Sequence, residues 1–369
     1  MPATETNNPF TPTFGSIPPQ LAGRQQMIRD ILGGLDNAPG DPNRTTIFTG
    51  ARGTGKTVLL AKLAEEASAQ GWVSANVTAR EGLLEEVLMQ VKDNASDFLA
   101  ANAPSRITGV EIAGFGISRS VTEEPERTWR SRLTALVKDL NEQGVGLLIT
   151  VDEVDAQCAP LRDLVDTYQH LVRERRDVAL VMAGLPNNIS QLLQDKKISF
   201  LRRAFQHRLD AVPNDEVAFA LRKTIETSGR SIGSEALGLA AESTQGFPFM
   251  IQLVGYNIWR QNPQRKAISL EDTKNGIELA GSDMRRMIFE STIHDLSEQD
   301  IRFLVTLARI NGESDTAQIA AAWGRDVNYT SKYRRRLLEQ GIIGERMFGK
   351  IDFDIPLLSE YILERFSEF

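Results

Sequence analysis

A chain of 369 residues with 41% hydrophobic and 25% charged content describes an ordinary globular protein, long enough for two or three domains. Its single cysteine, Cys158, excludes an internal disulfide and a thiolate metal cluster and points to a reducing, cytoplasmic home. The net charge of −7 excludes a whole-molecule field that attracts nucleic acid, and no apolar run reaches the roughly 20 residues of a membrane helix.

The first twenty residues, rich in Pro, Thr and Asn, predict an extended segment, with Phe10 and Phe14 as anchors; they lack the basic and apolar pattern of a secretion signal. Residues 21–32 are expected to be helical after LAGR, followed by a turn-rich loop over 36–43. Strands and helices then alternate. Strands are predicted at 45–50, 72–79, 145–155, 177–186 and 207–212, and helices at 56–70, 81–101, 126–143 and 159–176. The run 106–121 alternates apolar and polar residues with glycines, which reads as an inserted β-hairpin. The alternation predicts an α/β fold with a doubly wound parallel sheet.

Beyond Pro213 the pattern turns all-helical, with helices at 214–228, 234–244, 248–261 and 270–290. The tail has three helical stretches (297–309, 315–324 and 328–341), then two β-rich runs around a Gly-Lys turn, a winged-helix pattern. The expected organisation is an extended segment at 1–20, an α/β domain at 21–212, a helical lid at 213–290 and a winged helix at 291–369.

Residues 50–57, GARGTGKT, fit G-x-x-x-x-G-K-[ST] at every fixed position, between a predicted strand and a predicted helix. In such a P-loop, Gly50, Ala51, Arg52, Gly53, Thr54 and Gly55 wrap the phosphates with backbone N–H groups, and the helix that Val58 continues adds the positive end of its dipole. Lys56 is expected to reach the β- and γ-phosphates of ATP or ADP, and the Thr57 hydroxyl to bind Mg²⁺.

Four apolar residues lead into Asp152 and Glu153, so Asp152 is the expected second magnesium ligand and Glu153 the acid that polarises the attacking water. Asp155 suits a cap for the next helix. At the end of the following strand, Asn187 and Asn188 are both candidates for orienting that water. Arg203, with Arg202 close behind, is the candidate finger for the γ-phosphate of a neighbouring copy, which implies a homo-oligomer in the ATP state. The three histidines, His170, His207 and His294, lack metal-ligand spacing.

LAGR at 21–24, the P-loop, VDEVD at 151–155, the arginine pair and GFP at 246–248 together resemble bacterial origin-recognition-like AAA+ ATPases and the related STAND signal-transduction ATPases. The resemblance covers most of residues 10–369. It implies that Gly23 and Arg24 lie near the adenine, although Gln25 stands where an acid is usual. It also implies that Pro248 contacts the base side of the nucleotide. The lid stretch 243–259 lacks the sensor arginine of typical AAA+ proteins, which predicts slow hydrolysis and long nucleotide occupancy.

Between 325 and 350 seven basic residues face three acids, a local balance of +4 in a chain of −7. Lys332, Arg335 and Arg336 on the third helix, with Arg346 and Lys350 on the wing, are the candidates for duplex DNA contact. Arg334 lies near the apolar edge of that helix. Two readings follow: a nucleotide-switched ATPase whose winged helix binds duplex DNA, and a STAND-like signalling ATPase whose winged helix packs internally and whose partner is protein. A P-loop phosphotransferase is disfavoured by the lid and winged helix.

Overall fold

The computed structural model describes residues 7–13, 15–102 and 128–369. The expected hairpin at 106–121 and the anchor Phe14 lie outside the described residues.

Five strands form one parallel sheet: β1 (Thr45–Thr49), β2 (Trp72–Thr78), β3 (Gly146–Asp152), β4 (Val178–Gly184) and β5 (Phe205–Arg208), in the order β2-β3-β4-β1-β5. The two-residue period sends alternate side chains to opposite layers. Ile47, Leu147, Ile149, Leu180 and Met182 face one core, and Phe48, Leu148, Ala179 and Val181 the other. Helices α1 (Gln25–Asp36) and α2 (Lys56–Ala69) cover the Phe48 face through Ile31, Leu59 and Leu63. Helices α3 (Leu83–Asn102), α4 (Trp129–Glu142), α5 (Ala159–Arg173) and α6 (Pro186–Gln194) cover the Ile47 face through Val87, Val137, Leu164 and Ile189. Burial on both faces explains the nearly unbroken apolar runs of β3 and β4.

The first helix begins at Gln25, directly after LAGR, where Gly23 has a positive φ of 71° and Arg24 is the non-helical N-cap. One boundary differs from the sequence expectation. The last strand starts and ends before 207–212. Its partner β1 stops at Thr49, where the P-loop turns away, so the strand register ends at Thr49 opposite Arg208.

Beyond the sheet run α7 (Asn214–Thr227), α8 (Ser234–Ser243), α9 (Pro248–Trp259) and α10 (Leu270–Met284). This stretch is not purely helical: β6 (Ser231–Ile232) and β7 (Ala267–Ile268) form a short parallel pair. The helix α10 passes through a five-residue π turn, Arg285–Phe289, into α11 (Glu290–His294). The C-terminal part has α12 (Glu298–Ile310), α13 (Thr316–Trp323), α14 (Val327–Glu339), an antiparallel hairpin of β8 (Ile343–Glu345) and β9 (Ile351–Phe353), and a further α15 (Leu358–Arg365). Ser297 and Asp300 form a capping box at the start of α12, and Gly341, at φ 67°, follows the end of α14. One apolar core runs from Val212 to Ile362 and takes in Phe10 of the N-terminal segment. No helix among the described residues is long and apolar enough to cross a membrane.

Candidate functional site

The P-loop hangs between the C-terminal end of β1 and the start of α2. Gly53 and Gly55 take positive φ of 78° and 87°, conformations that a side chain would strain. Thr54 closes the turn by donating its hydroxyl to the Ala51 carbonyl at 2.9 Å. Lys56 folds back into the loop and donates to the carbonyls of Gly50 at 2.8 Å and Ala51 at 2.6 Å. Burial lowers the Lys56 pKa to about 8, against the opposing pull of Asp152 and, more weakly, of Asp354 and Glu153.

Thr57 and Asp152 meet directly, the hydroxyl donating to the carboxylate at 2.5 Å. One hydroxyl and one carboxylate touching at the end of two neighbouring elements form an oxygen pair that suits a magnesium ion beside phosphates. Glu153 is exposed and has left the strand, at φ 50°, while its N–H donates to Asp152 Oδ1 at 2.8 Å. The following Val154 is pinned, its N–H donating to the Ala183 carbonyl at 2.9 Å.

The structure separates the two asparagines. Asn188 donates to the Val154 carbonyl at 3.1 Å and so holds the loop that carries Glu153. Asn187 has its Nδ2 buried with no hydrogen-bond partner among the described residues. Asp155 corrects the sequence expectation: it accepts from the Gln157 N–H at 2.9 Å in a local turn, and Cys158 is the residue that precedes α5.

The GFP segment closes over the loop. The Phe247 ring lies where a Cβ on Gly53 would be, and the Pro248 ring lies 3.8 Å from the equivalent point on Gly55. Gly246, at φ 68°, ends the preceding turn, and Pro248 opens α9 at its first position, so the segment is at once a helix stop, a helix start and a P-loop contact. Phe247 is the residue that motif reading passes over. Its signal, a bulky aromatic between a glycine and a proline, is visible only in hindsight of the packing. Gly23 packs against Val212, and Arg24 donates to the Asp210 carbonyl at 2.7 Å. Burial is the main cause that lowers the pKa of Arg24, opposed by Asp210 and Glu216.

Arg203 is exposed and without an ion-pair partner among the described residues, whereas Arg202 donates to the Leu193 carbonyl at 2.7 Å. A cleft of about 540 Å³ lies beyond the ends of β1, β4 and β5, between α6 and the C-terminal hairpin. Thr49, Asn187, Arg202 and Arg208 line one wall; Arg346 and Asp354 are on the other.

The basic residues of the C-terminal part are not one open surface. Arg346, expected on the wing face, instead pairs with Asp354 at 2.9 Å inside the cleft and is only 20% exposed. Arg336 reaches the buried Asp300 at 3.3 Å, and Arg334 pairs with Glu345 at 2.8 Å. Lys332 and Arg335 stay exposed, with Arg335 only loosely near Glu339, and Lys350 is half-buried. Asn328 and Ser331 are also exposed, so 328, 331, 332 and 335 make one polar face of α14 at helical spacing. That spacing is legible in the sequence once the helix is known.

Residues 20–182 match the family model of the AAA ATPase domain. Over those residues the chain is similar to AAA ATPases. Its fold is that of an AAA+ protein followed by a helical C-terminal part, and the domain match supports ATP hydrolysis. Residues 286–362 match a domain of unknown function (DUF8462). No curated protein matches the chain. Among solved structures, the Walker-type ATPase of Pyrococcus abyssi is similar over 95% of this chain and 99% of that one, with a TM-score of 0.67 at 14% identity. The Aeropyrum pernix ORC2 protein in its ADPNP–ADP complexes is similar over 97% of this chain and 98% of that one, with a TM-score of 0.60 at 14% identity. These two likenesses are of fold. The loop 50–57, where the glycines, Lys56 and Thr57 converge, lies within the matched residues.

Proposed function

We propose that this AAA ATPase is a slow, nucleotide-dependent switch that carries duplex DNA on its C-terminal module. The functional units in this reading are the ATPase domain at 21–212, the lid at 213–290 and a winged helix at 291–369. Lys56 leaves the loop carbonyls for the β- and γ-phosphates. Thr57 and Asp152 would hold Mg²⁺, which when bound offsets charge on those phosphates. Glu153 polarises the attacking water, Asn187 orients it with its unpartnered amide, and Arg203 reaches outward to the γ-phosphate of a second copy. Gly23, Arg24 and Pro248 frame the base side.

The observation that carries the DNA reading is the exposed polar face of α14, where Asn328, Ser331, Lys332 and Arg335 are residue types that hydrogen-bond base edges and phosphates. The test is fluorescence anisotropy of a labelled mixed-sequence duplex, with ADP and with a non-hydrolysable ATP analogue, across a salt series. We expect nucleotide-dependent binding with a log–log salt slope of about three to four phosphate contacts. Lys332→Glu with Arg335→Glu should abolish it. Arg336 is left in place because it partners the buried Asp300. Absence of binding in every nucleotide state rejects this reading.

The cleft favours a second reading. The hairpin already packs near the P-loop, with Asp354 in the field of Lys56, as expected of a signalling ATPase whose winged helix locks the ADP state and whose partner is protein. In that case the double glutamate variant behaves as the parent in every assay.

A further inference from the structure

The tip of the β8–β9 hairpin is built against the ordinary rules of a turn. Arg346 N–H donates to the Lys350 carbonyl at 2.7 Å and closes a loop over Met347, Phe348 and Gly349. Met347 is 73% exposed and Phe348 is 91% exposed, the most exposed of the large apolar side chains among the described residues. Phe348 also sits in the left-handed region, at φ 59° and ψ 31°. A bulky residue there is a genuine outlier. The neighbouring Gly349, at φ 73°, takes the same region without strain. A glycine at 348 would thus satisfy the turn. The aromatic ring neither helps the backbone nor buries surface within the chain, and strain of this kind collects at sites that act on something outside the fold.

The surroundings say what that partner is. Arg334 is half-buried and ties the tip to α14, its guanidinium donating to Glu345 at 2.8 Å and to the Gly349 carbonyl at 3.4 Å. The tip is therefore held in a fixed relation to the helix whose outer face carries Lys332 and Arg335. Lys350 stands at the foot of the turn. Protruding apolar side chains on a tip tied to a helix that carries exposed cations have the chemistry of a wedge that enters between base steps while the helix's cations meet phosphates. Two side chains offer too little apolar surface for lasting membrane anchoring.

We infer that Met347 and Phe348 form an unstacking wedge, inserted into duplex DNA when α14 engages it. This rests on the DNA reading above, and Phe348 is the residue that does most of the stacking. Bound DNA is then kinked at the wedge, and part of the affinity is independent of salt.

The test uses the full chain and the mixed-sequence duplex, in the nucleotide state that binds best. Phe348→Asn keeps a residue tolerant of positive φ and removes the ring, and at 91% exposure its loss spares the core. We expect about a tenfold or greater loss of affinity, in line with aromatic–base stacking elsewhere. The slope against log salt should stay unchanged, because the ring neutralises no phosphate. Permanganate should oxidise thymines at the bound site with the parent chain and not with the variant. If the variant binds within about twofold of the parent, or the parent leaves thymines stacked, the wedge is overturned while the α14 reading stands. If the parent binds no duplex at all, both fall together. Loss of binding in the Lys332, Arg335 double variant with normal binding by Phe348→Asn separates the two claims.

Discussion

Lys56 shows how one side chain carries both chemistry and stability. Its burial holds its pKa near 8, below the ordinary lysine value of 10.5. The charged form is therefore disfavoured in the folded, nucleotide-free loop. Between about pH 8 and 10.5 the unfolded chain binds more protons at this residue, so the penalty is fully present below pH 8 and is relieved as pH rises through that window. Phosphates reverse the preference. ATP binding above pH 8 should take up one proton, and affinity should fall as pH rises. Calorimetry in buffers of different ionisation heat measures this uptake, and Lys56→Ala should abolish ATP binding; unchanged affinity in an equilibrium titration would reject the site. Glu153→Gln should bind ATP and leave it unhydrolysed. General-base assistance is typically worth about 10² to 10⁴ in rate, so turnover at the parental rate would remove Glu153 from the mechanism.

At the scale of elements, the P-loop and the start of α9 act as one unit. Phe247 is buried at 4% exposure and fills the space that Gly53 leaves open. Gly53 is therefore needed twice, once for its φ and once for the ring beside it. Phe247→Ala removes a buried ring and should cost about 3 kcal/mol in a denaturant melt. It should also speed release of a fluorescent ADP analogue in stopped flow, because α9 loses its grip on the loop; an unchanged release rate would confine Phe247 to a packing role. A similar fit joins the N-terminal segment to α9. The Phe10 ring occupies the notch at Gly255, and Asn8 donates to the Tyr256 carbonyl at 3.0 Å. Phe10 is expected as an anchor from its isolation in a polar segment; the glycine that receives it gives no sign in the sequence.

For the whole molecule, the question is whether the cleft between α6 and the hairpin answers to nucleotide. Asp354 faces Arg346 and lies in the field of Lys56, so a γ-phosphate arriving at Lys56 adds negative charge near a largely buried carboxylate. Hydrogen exchange across Leu338–Arg346 should therefore rise with an ATP analogue relative to ADP. Equal exchange in the two states would make the C-terminal module a fixed platform.

The sequence by itself determined the AAA+ fold and supplied the candidates for its central residues. Periods of 2 and 3.6 are local, and the phosphate loop is eight consecutive residues whose chemistry depends on their spacing alone. The place of Asp152 and Glu153 at a strand end was legible because an apolar run leads into them. Tertiary structure decided everything that needed two distant segments at once. It separated Asn187 from Asn188 by giving Asn188 a partner and leaving the Asn187 amide without one among the described residues. It turned Arg346 into the cleft by supplying Asp354, and it drew Arg336 to Asp300. A basic residue reads the same in sequence whether it meets solvent or a carboxylate, because ion pairing is set by which elements pack together and not by neighbours along the chain. It also set Phe348 in the open, since exposure is a property of the surface that the finished fold leaves uncovered.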